Sequence, residues 1–108
     1  MPIERKLAAI MFTDIAGYTA LSAKDSTKAS ELLTTQRDTL KPIVEKHGGS
    51  WMKEIGDGLL LTFDSATSAV ECSIAIQEAT KDIEDLNLRI GIHEGEVIKQ
   101  DGDVIGDD

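Results

Sequence analysis

Apolar and polar positions follow several distinct rhythms along this chain, and each predicts a different element. Leu7-Ala8-Ala9-Ile10-Met11-Phe12 is an unbroken apolar run stopped by Thr13-Asp14, which suits a short strand buried on both faces better than a helix. Gly17 interrupts the stretch 14–21 and predicts a turn into a short helix whose first N–H groups point outward. From Ser26 to His47 the residues Ala29, Leu32, Leu33, Leu40, Ile43 and Val44 recur at helical spacing with polar residues between them. Ser26 is placed to cap this long helix, and Gly48-Gly49 stops it because glycine adopts the left-handed conformation cheaply. Pro42 lies inside the pattern. Its missing donor and its ring predict a kink or break near Leu40.

Ser50–Ile55 and Leu59–Phe63 are β-prone runs around Gly56-Asp57-Gly58, a cluster that closes a hairpin. Ala66, Ala69, Val70, Ser73, Ile74 and Gln77 then mark one face of a second helix to about Lys81, capped by Asp64 or Ser65. Leu86, Leu88, Ile90 and Ile92 alternate with Asn87, Arg89, Gly91 and His93, as in a strand with one buried face. Between Glu94 and Asp108, Val97-Ile98, a Gln100-Asp101-Gly102 turn and Val104-Ile105 read as a hairpin whose second strand is short. The order strand, helix, strand, strand, helix, strand predicts a ferredoxin-like α+β sandwich, βαββαβ, with sheet order 4-1-3-2 and right-handed crossovers. With no repeats, low-complexity segments or linkers, residues 1–108 read as a single domain.

Composition narrows the partners. The 108 residues carry 20 Asp+Glu against 11 Lys+Arg, a net charge of −9. That charge repels a polyanion and no local basic patch relieves it, so nucleic acid is not an expected partner; small phosphates carried with a divalent cation remain compatible. No apolar run approaches the roughly 20 residues of a membrane span, and no signal-peptide pattern is visible, so a cytoplasmic location without membrane contact is expected. The single Cys72 has no partner for a disulfide or a structural zinc site, which suits a reducing compartment. His47 and His93 are too far apart for a helical zinc motif.

The expected topology concentrates chemistry at one end of the sheet. The C-terminal end of strand 1 meets the turn between strands 2 and 3, so Asp14 and Asp57 converge there. Two such carboxylates repel unless a cation such as Mg²⁺ bridges them. Aspartate also ends strands and fills turns, so spacing alone leaves a metal pair and two turn residues both open. Arg89, near the start of strand 4, returns to the same end; its planar fork suits a triphosphate, and a plain exposed strand arginine is the alternative. Gly17 lets the backbone approach phosphate, a weak signal alone. Lys53, about 13 Å from Asp57 along an extended strand, is too distant for the same metal centre. It is either a solvated strand lysine or part of a second site formed with another copy of the chain. Phe12, Tyr18, Trp51 and Phe63 are scattered, as packing residues are, and form no base-stacking stripe.

Three ordered blocks are more specific than any of these residues singly. Phe12-Thr13-Asp14-Ile15-Ala16-Gly17-Tyr18-Thr19, Lys53-Glu54-Ile55-Gly56-Asp57-Gly58 and Leu88-Arg89-Ile90-Gly91-Ile92-His93-Glu94-Gly95 closely resemble blocks of class III nucleotidyl cyclase catalytic domains, from about Lys6 to Asp108. The resemblance implies a ferredoxin-like core and a head-to-tail homodimer with sites shared between subunits. It also implies conversion of a nucleoside triphosphate into a 3′,5′-cyclic monophosphate and pyrophosphate, with two divalent metals, Mg²⁺ or Mn²⁺. By that resemblance Asp14 and Asp57 are the catalytic, metal-binding aspartates and Ile15 adds a backbone carbonyl. Ala16, Gly17, Tyr18 and Thr19 form the phosphate-contacting turn, and Arg89 contacts the triphosphate. Lys53 reads the purine edge from the partner subunit, and Asp103 falls at the second base-reading position. A Lys/Asp pair resembles the adenine-reading type, which implies ATP as substrate; guanine usually meets Glu and a small polar residue in this family.

The family continues past the position of Asp108 with a Val-Asn block, an Arg on the next helix and closing strands that include a triphosphate-contacting lysine. The chain therefore reads as the N-terminal two-thirds of a catalytic domain. Charge stabilisation in the transition state dominates phosphoryl chemistry, so this segment alone is expected to have little or no activity. Guanylyl or relaxed purine specificity and a non-catalytic nucleotide-binding or regulatory module are the alternatives. A diguanylate cyclase would need a Gly-Gly-Asp/Glu-Glu-Phe hairpin, from which Ile55-Gly56-Asp57-Gly58-Leu59 departs.

Overall fold

The central strand β1 (Glu4–Ile15) organises the molecule, seen in a computed structural model that describes the backbone of residues 4–100 and 103–106 and the side chains of residues 7–96. After β1 come α1 (Tyr18–Lys24), α2 (Ser26–Lys46), β2 (Ser50–Ile55), β3 (Gly58–Phe63), α3 (Ala66–Thr80), β4 (Leu88–Gln100) and β5 (Asp103–Gly106). The strands pair antiparallel in the order β2-β3-β1-β4-β5. The expected 4-1-3-2 order stands within it, with β5 added outside β4.

Alternation along β1 assigns the two faces. Ala9, Met11 and Ile15 point to the helices and join Leu59, Leu61, Phe63 and Leu88 of the sheet against Leu32, Leu40, Val44, Ala69, Cys72 and Ile76. Each fully buried Leu, Ile, Val, Met or Phe among them contributes about 1.5–3 kcal/mol. On the other, open face, Ala8 and Ile10 pack with Met52 and Leu60, while Phe12 remains half exposed.

The structure departs from the hydropathy pattern at several points. The cap of α2 is Asp25, whose side chain accepts from the Lys28 amide at 3.0 Å, not Ser26. The helix runs unbroken through Pro42, which lies on the exposed side, where water can satisfy the carbonyl that loses its donor. The buried face of α3 is Ala69, Cys72, Ile76 and Thr80; Val70 and Ile74, expected inward, are exposed. Both stripes of that helix are apolar enough to be read as core. Small Ala69 and Cys72 permit close approach, and the Thr80 hydroxyl is satisfied by the Ile76 carbonyl at 2.9 Å. Of the two expected caps, Ser65 is used and accepts from the Ser68 amide. Finally, the expected strand from Leu86 and the first strand of the terminal hairpin are one strand, β4, which begins at Leu88. Leu86 is buried ahead of it, after Asp85 at φ 65°.

Candidate active site

Register brings the first two residues together. Asp14 lies directly opposite Arg89 in the β1–β4 pair, and the guanidinium grips the carboxylate at two points, Nε to Oδ1 at 2.7 Å and Nη2 to Oδ2 at 3.2 Å. That hydrogen bond, then the charge of Asp14, with Asp57 adding, raises the pKa of Arg89 further.

Asp57 arrives from the neighbouring strand pair. Ile55 and Gly58 are paired, so Gly56-Asp57 is a two-residue turn, and Gly56 takes φ 61°, as hairpin turns with glycine first require. A Cβ on Gly58 would stand only 3.1 Å from the Thr13 carbonyl oxygen, so the absent side chain lets the hairpin close against β1. The Ile15 amide then donates to Asp57 Oδ2 at 2.9 Å. One carboxylate thus caps the residue next to the other, at the end of the sheet where Arg89 also stands.

Asp14, Asp57 and the backbone carbonyl of Ile15 offer hard oxygen atoms that could hold a cation. Among the described residues no cluster of three or more His, Cys, Asp or Glu could hold an ion. So few protein ligands fit Mg²⁺, which keeps waters and substrate phosphates, better than a cation needing an all-protein cage.

The turn at residues 16–19 follows immediately. Gly17 has φ 77° and leads into α1. The Ala16 amide is already engaged, donating to the Asn87 carbonyl at 2.8 Å, which removes it as a phosphate donor. Tyr18 packs against the helix-side core, while the amides of Tyr18 and Thr19 belong to the first helical turn, where no intrahelical acceptor exists.

Lys53 stands exposed on β2 opposite Leu60, just after a register irregularity. Asp103 opens β5 opposite Gln100; its side chain lies outside the described residues. Lys53 and Asp103 thus occupy the two outer strands, with β3, β1 and β4 between them, and the sheet does not set them side by side.

One residue beneath the site escaped sequence reasoning. Gln36 of α2 is buried, and its Nε2 lies 3.5 Å from the Asp57 carbonyl oxygen while its Oε1 has no partner. The signal was a polar residue four after Leu32 and four before Leu40, inside the apolar stripe.

Comparison with known proteins places the fold in a family. The family model of the adenylate and guanylate cyclase catalytic domain matches residues 4–107. A putative adenylate cyclase 3 from Rhizobium meliloti is 37% identical over 97% of this chain, which spans 19% of that relative. A crystal structure of an adenylate/guanylate cyclase/hydrolase from Silicibacter pomeroyi superposes with TM-score 0.84 and 35% identity, over 98% of this chain and 66% of that one. The catalytic core of a rhodopsin-guanylyl cyclase with converted specificity, in complex with ATPαS, superposes with TM-score 0.87 and 25% identity, over 99% of this chain and 69% of that one. From its fold, its ordered blocks and these matches, the chain belongs to the adenylate and guanylate cyclase catalytic domain family.

Proposed function

We propose that this chain is part of an adenylyl cyclase catalytic domain that converts ATP to 3′,5′-cyclic AMP and pyrophosphate. The observation that carries the reading is the meeting of Asp14, Asp57 and Arg89 at one end of the sheet. In the reaction the ribose 3′-oxygen attacks the α-phosphorus in line. The new bond is O3′–P, the bond broken is that from phosphorus to the pyrophosphate oxygen, and the 3′-hydroxyl proton leaves to a carboxylate or water.

Asp14, Asp57 and the Ile15 carbonyl are the residues that would hold divalent cations, Mg²⁺ or Mn²⁺. When bound, these lower the pKa of the 3′-hydroxyl and neutralise the leaving pyrophosphate. The chain's own work is to orient the triphosphate: Arg89 pairs with phosphate oxygens, and the turn at Gly17, Tyr18 and Thr19 offers backbone donors. Lys53 donates to a ring acceptor of adenine and Asp103 accepts from its exocyclic amine, across the interface of a homodimer. Lys53 stands on the same open face as Asp14, which supports this assignment; Asp103 rests on its position in the chain.

Guanylyl or relaxed purine specificity is the second reading, favoured by a family model that covers adenylate and guanylate cyclases alike. Production of cyclic AMP and cyclic GMP, with Mg²⁺ or Mn²⁺, tests both readings. It should be compared between this chain and one extended to the length of its structural neighbours. Activity with ATP preferred supports the proposal; GTP preference favours the second reading, and no cyclase activity in either chain leaves a nucleotide-binding or regulatory module.

A further inference from the structure

Trp51 and Glu54 lie an odd number of positions apart on β2, a spacing that places side chains on opposite faces of a regular strand. Yet the Trp51 Nε1 donates to Glu54 Oε2 at 3.1 Å. Both also face the helices. Trp51 packs against the helix-side core, and Glu54 accepts two hydrogen bonds from Arg37 of α2, at 2.9 Å from Nε and 2.7 Å from Nη2.

An inserted residue explains this. Trp51 pairs with Leu61 and Lys53 with Leu60, so Met52 has no partner of its own and forms a β-bulge. Met52 drops onto the open face beside Ala8, Ile10 and Leu60, and the alternation after it is reset. Lys53 consequently stands opposite Leu60 on the open face, the face that also carries Asp14 and Arg89. Without the inserted residue, Lys53 would turn toward α2 and Glu54 would take the open face.

Among the described residues β2 has a strand neighbour on one side only, and register is weakly held on such an edge. The contacts that hold it come from α2: Arg37 on Glu54, and Lys41, whose Nζ lies 5.5 Å from the Trp51 ring centroid. We infer that Arg37, Trp51 and Glu54 form a clamp that holds the Met52 bulge and so determines which face Lys53 presents. They are positioning residues for purine selection. This rests on the reading of Lys53 given above and extends it to residues that touch no nucleotide.

The test is the ratio of affinities for fluorescent ATP and GTP analogues, measured with Mn²⁺ on the whole chain. Lys53→Ala, Arg37→Ala, Glu54→Gln and the charge-exchanged pair Arg37→Glu with Glu54→Arg are compared. Lys53→Ala should lower the ATP preference, and Arg37→Ala and Glu54→Gln should lower it in the same sense by about five- to tenfold, the worth of one hydrogen bond. The exchanged pair should recover part of it, and Mn²⁺ affinity should not change. Glu54→Gln keeps the size of the side chain and an acceptor for Trp51, so it carries the test if Arg37→Ala fails to fold. If Lys53→Ala shifts the ratio while the clamp variants weaken both nucleotides alike, the clamp is structural only and the inference falls while the reading of Lys53 stands. If the unaltered chain binds neither nucleotide or shows no preference, or if Lys53→Ala leaves the ratio unchanged, the reading of Lys53 fails and the inference goes with it.

Discussion

Arg89 lies directly across from Asp14 in the β1–β4 register and grips both of its carboxylate oxygens. A cation bound by Asp14 must share that carboxylate with the guanidinium or displace it. The pair is well exposed, with side-chain accessibilities of 71% and 47%, so solvent and salt screen it and displacement is easy. Removing the arginine should therefore help the metal and harm the nucleotide. In Arg89→Ala, Mn²⁺ affinity measured without nucleotide should rise a few-fold, and triphosphate affinity should fall about tenfold. A fall in Mn²⁺ affinity would mean that Arg89 orients Asp14 and does not compete for it.

Asp57 has a structural role beside its proposed chemical one. Its Oδ2 satisfies the Ile15 amide, so Asp57→Ala strands that donor and should cost about 1–3 kcal/mol by chemical denaturation. Asp57→Asn keeps an acceptor and should remain close to the unaltered stability. Both should lose Mn²⁺ binding. Equal stability for the two variants would show that the hydrogen bond contributes nothing.

Acid should loosen the α2–β2 contact. The Arg37 hydrogen bond, helped by Trp51 and opposed by desolvation, lowers the Glu54 pKa from 4.5 to about 2. A carboxyl depressed in the folded state stabilises it above the unfolded value, and that contribution is lost as pH falls from about 4.5 toward 2. Unfolding followed across that window should show the loss, and Arg37→Ala should remove this part of the pH dependence. NMR titration of Glu54 near 4.5 in the unaltered chain would refute the pairing.

Burial pushes the Cys72 thiol up to about 11. At pH 8 a thiol reagent should leave the native chain unlabelled and react fully once denaturant is added. Rapid labelling of the native chain would place the α3 packing in error.

Gly49 sits where α2 turns into β2, and a Cβ there would stand 2.5 Å from Phe63 Cε2 and 2.8 Å from Val44 Cγ1. The Phe63 ring is buried and cannot swing away. Gly49→Ala should cost about 1–3 kcal/mol, read from the denaturation midpoint. An unchanged midpoint would show that the packing between α2 and β3 relaxes freely.

Much of the fold is legible in the amino-acid sequence. The alternation of Leu88, Ile90 and Ile92, the stripe from Ala29 to Val44 and the Gly56-Asp57-Gly58 turn each report a local preference. Chain-connection rules then order the strands and bring Asp14, Asp57 and Arg89 to one end. What sequence could not determine was rotation and register. Val70-Ile74 and Cys72-Ile76 are both apolar stripes on α3, and only the space beneath the sheet selects the second. Pro42 breaks a helix on paper, yet on the wet side of α2 water takes over the carbonyl it leaves. The Met52 bulge has no local signature; it reverses the faces of Lys53 and Glu54 because Leu60, Leu61 and Arg37, distant in sequence, are already in place. Local periodicity depends on each residue's own neighbours along the chain and can be read from them. Which face is buried, and where a strand takes an extra residue, depends on competition among packing partners that only the folded molecule assembles.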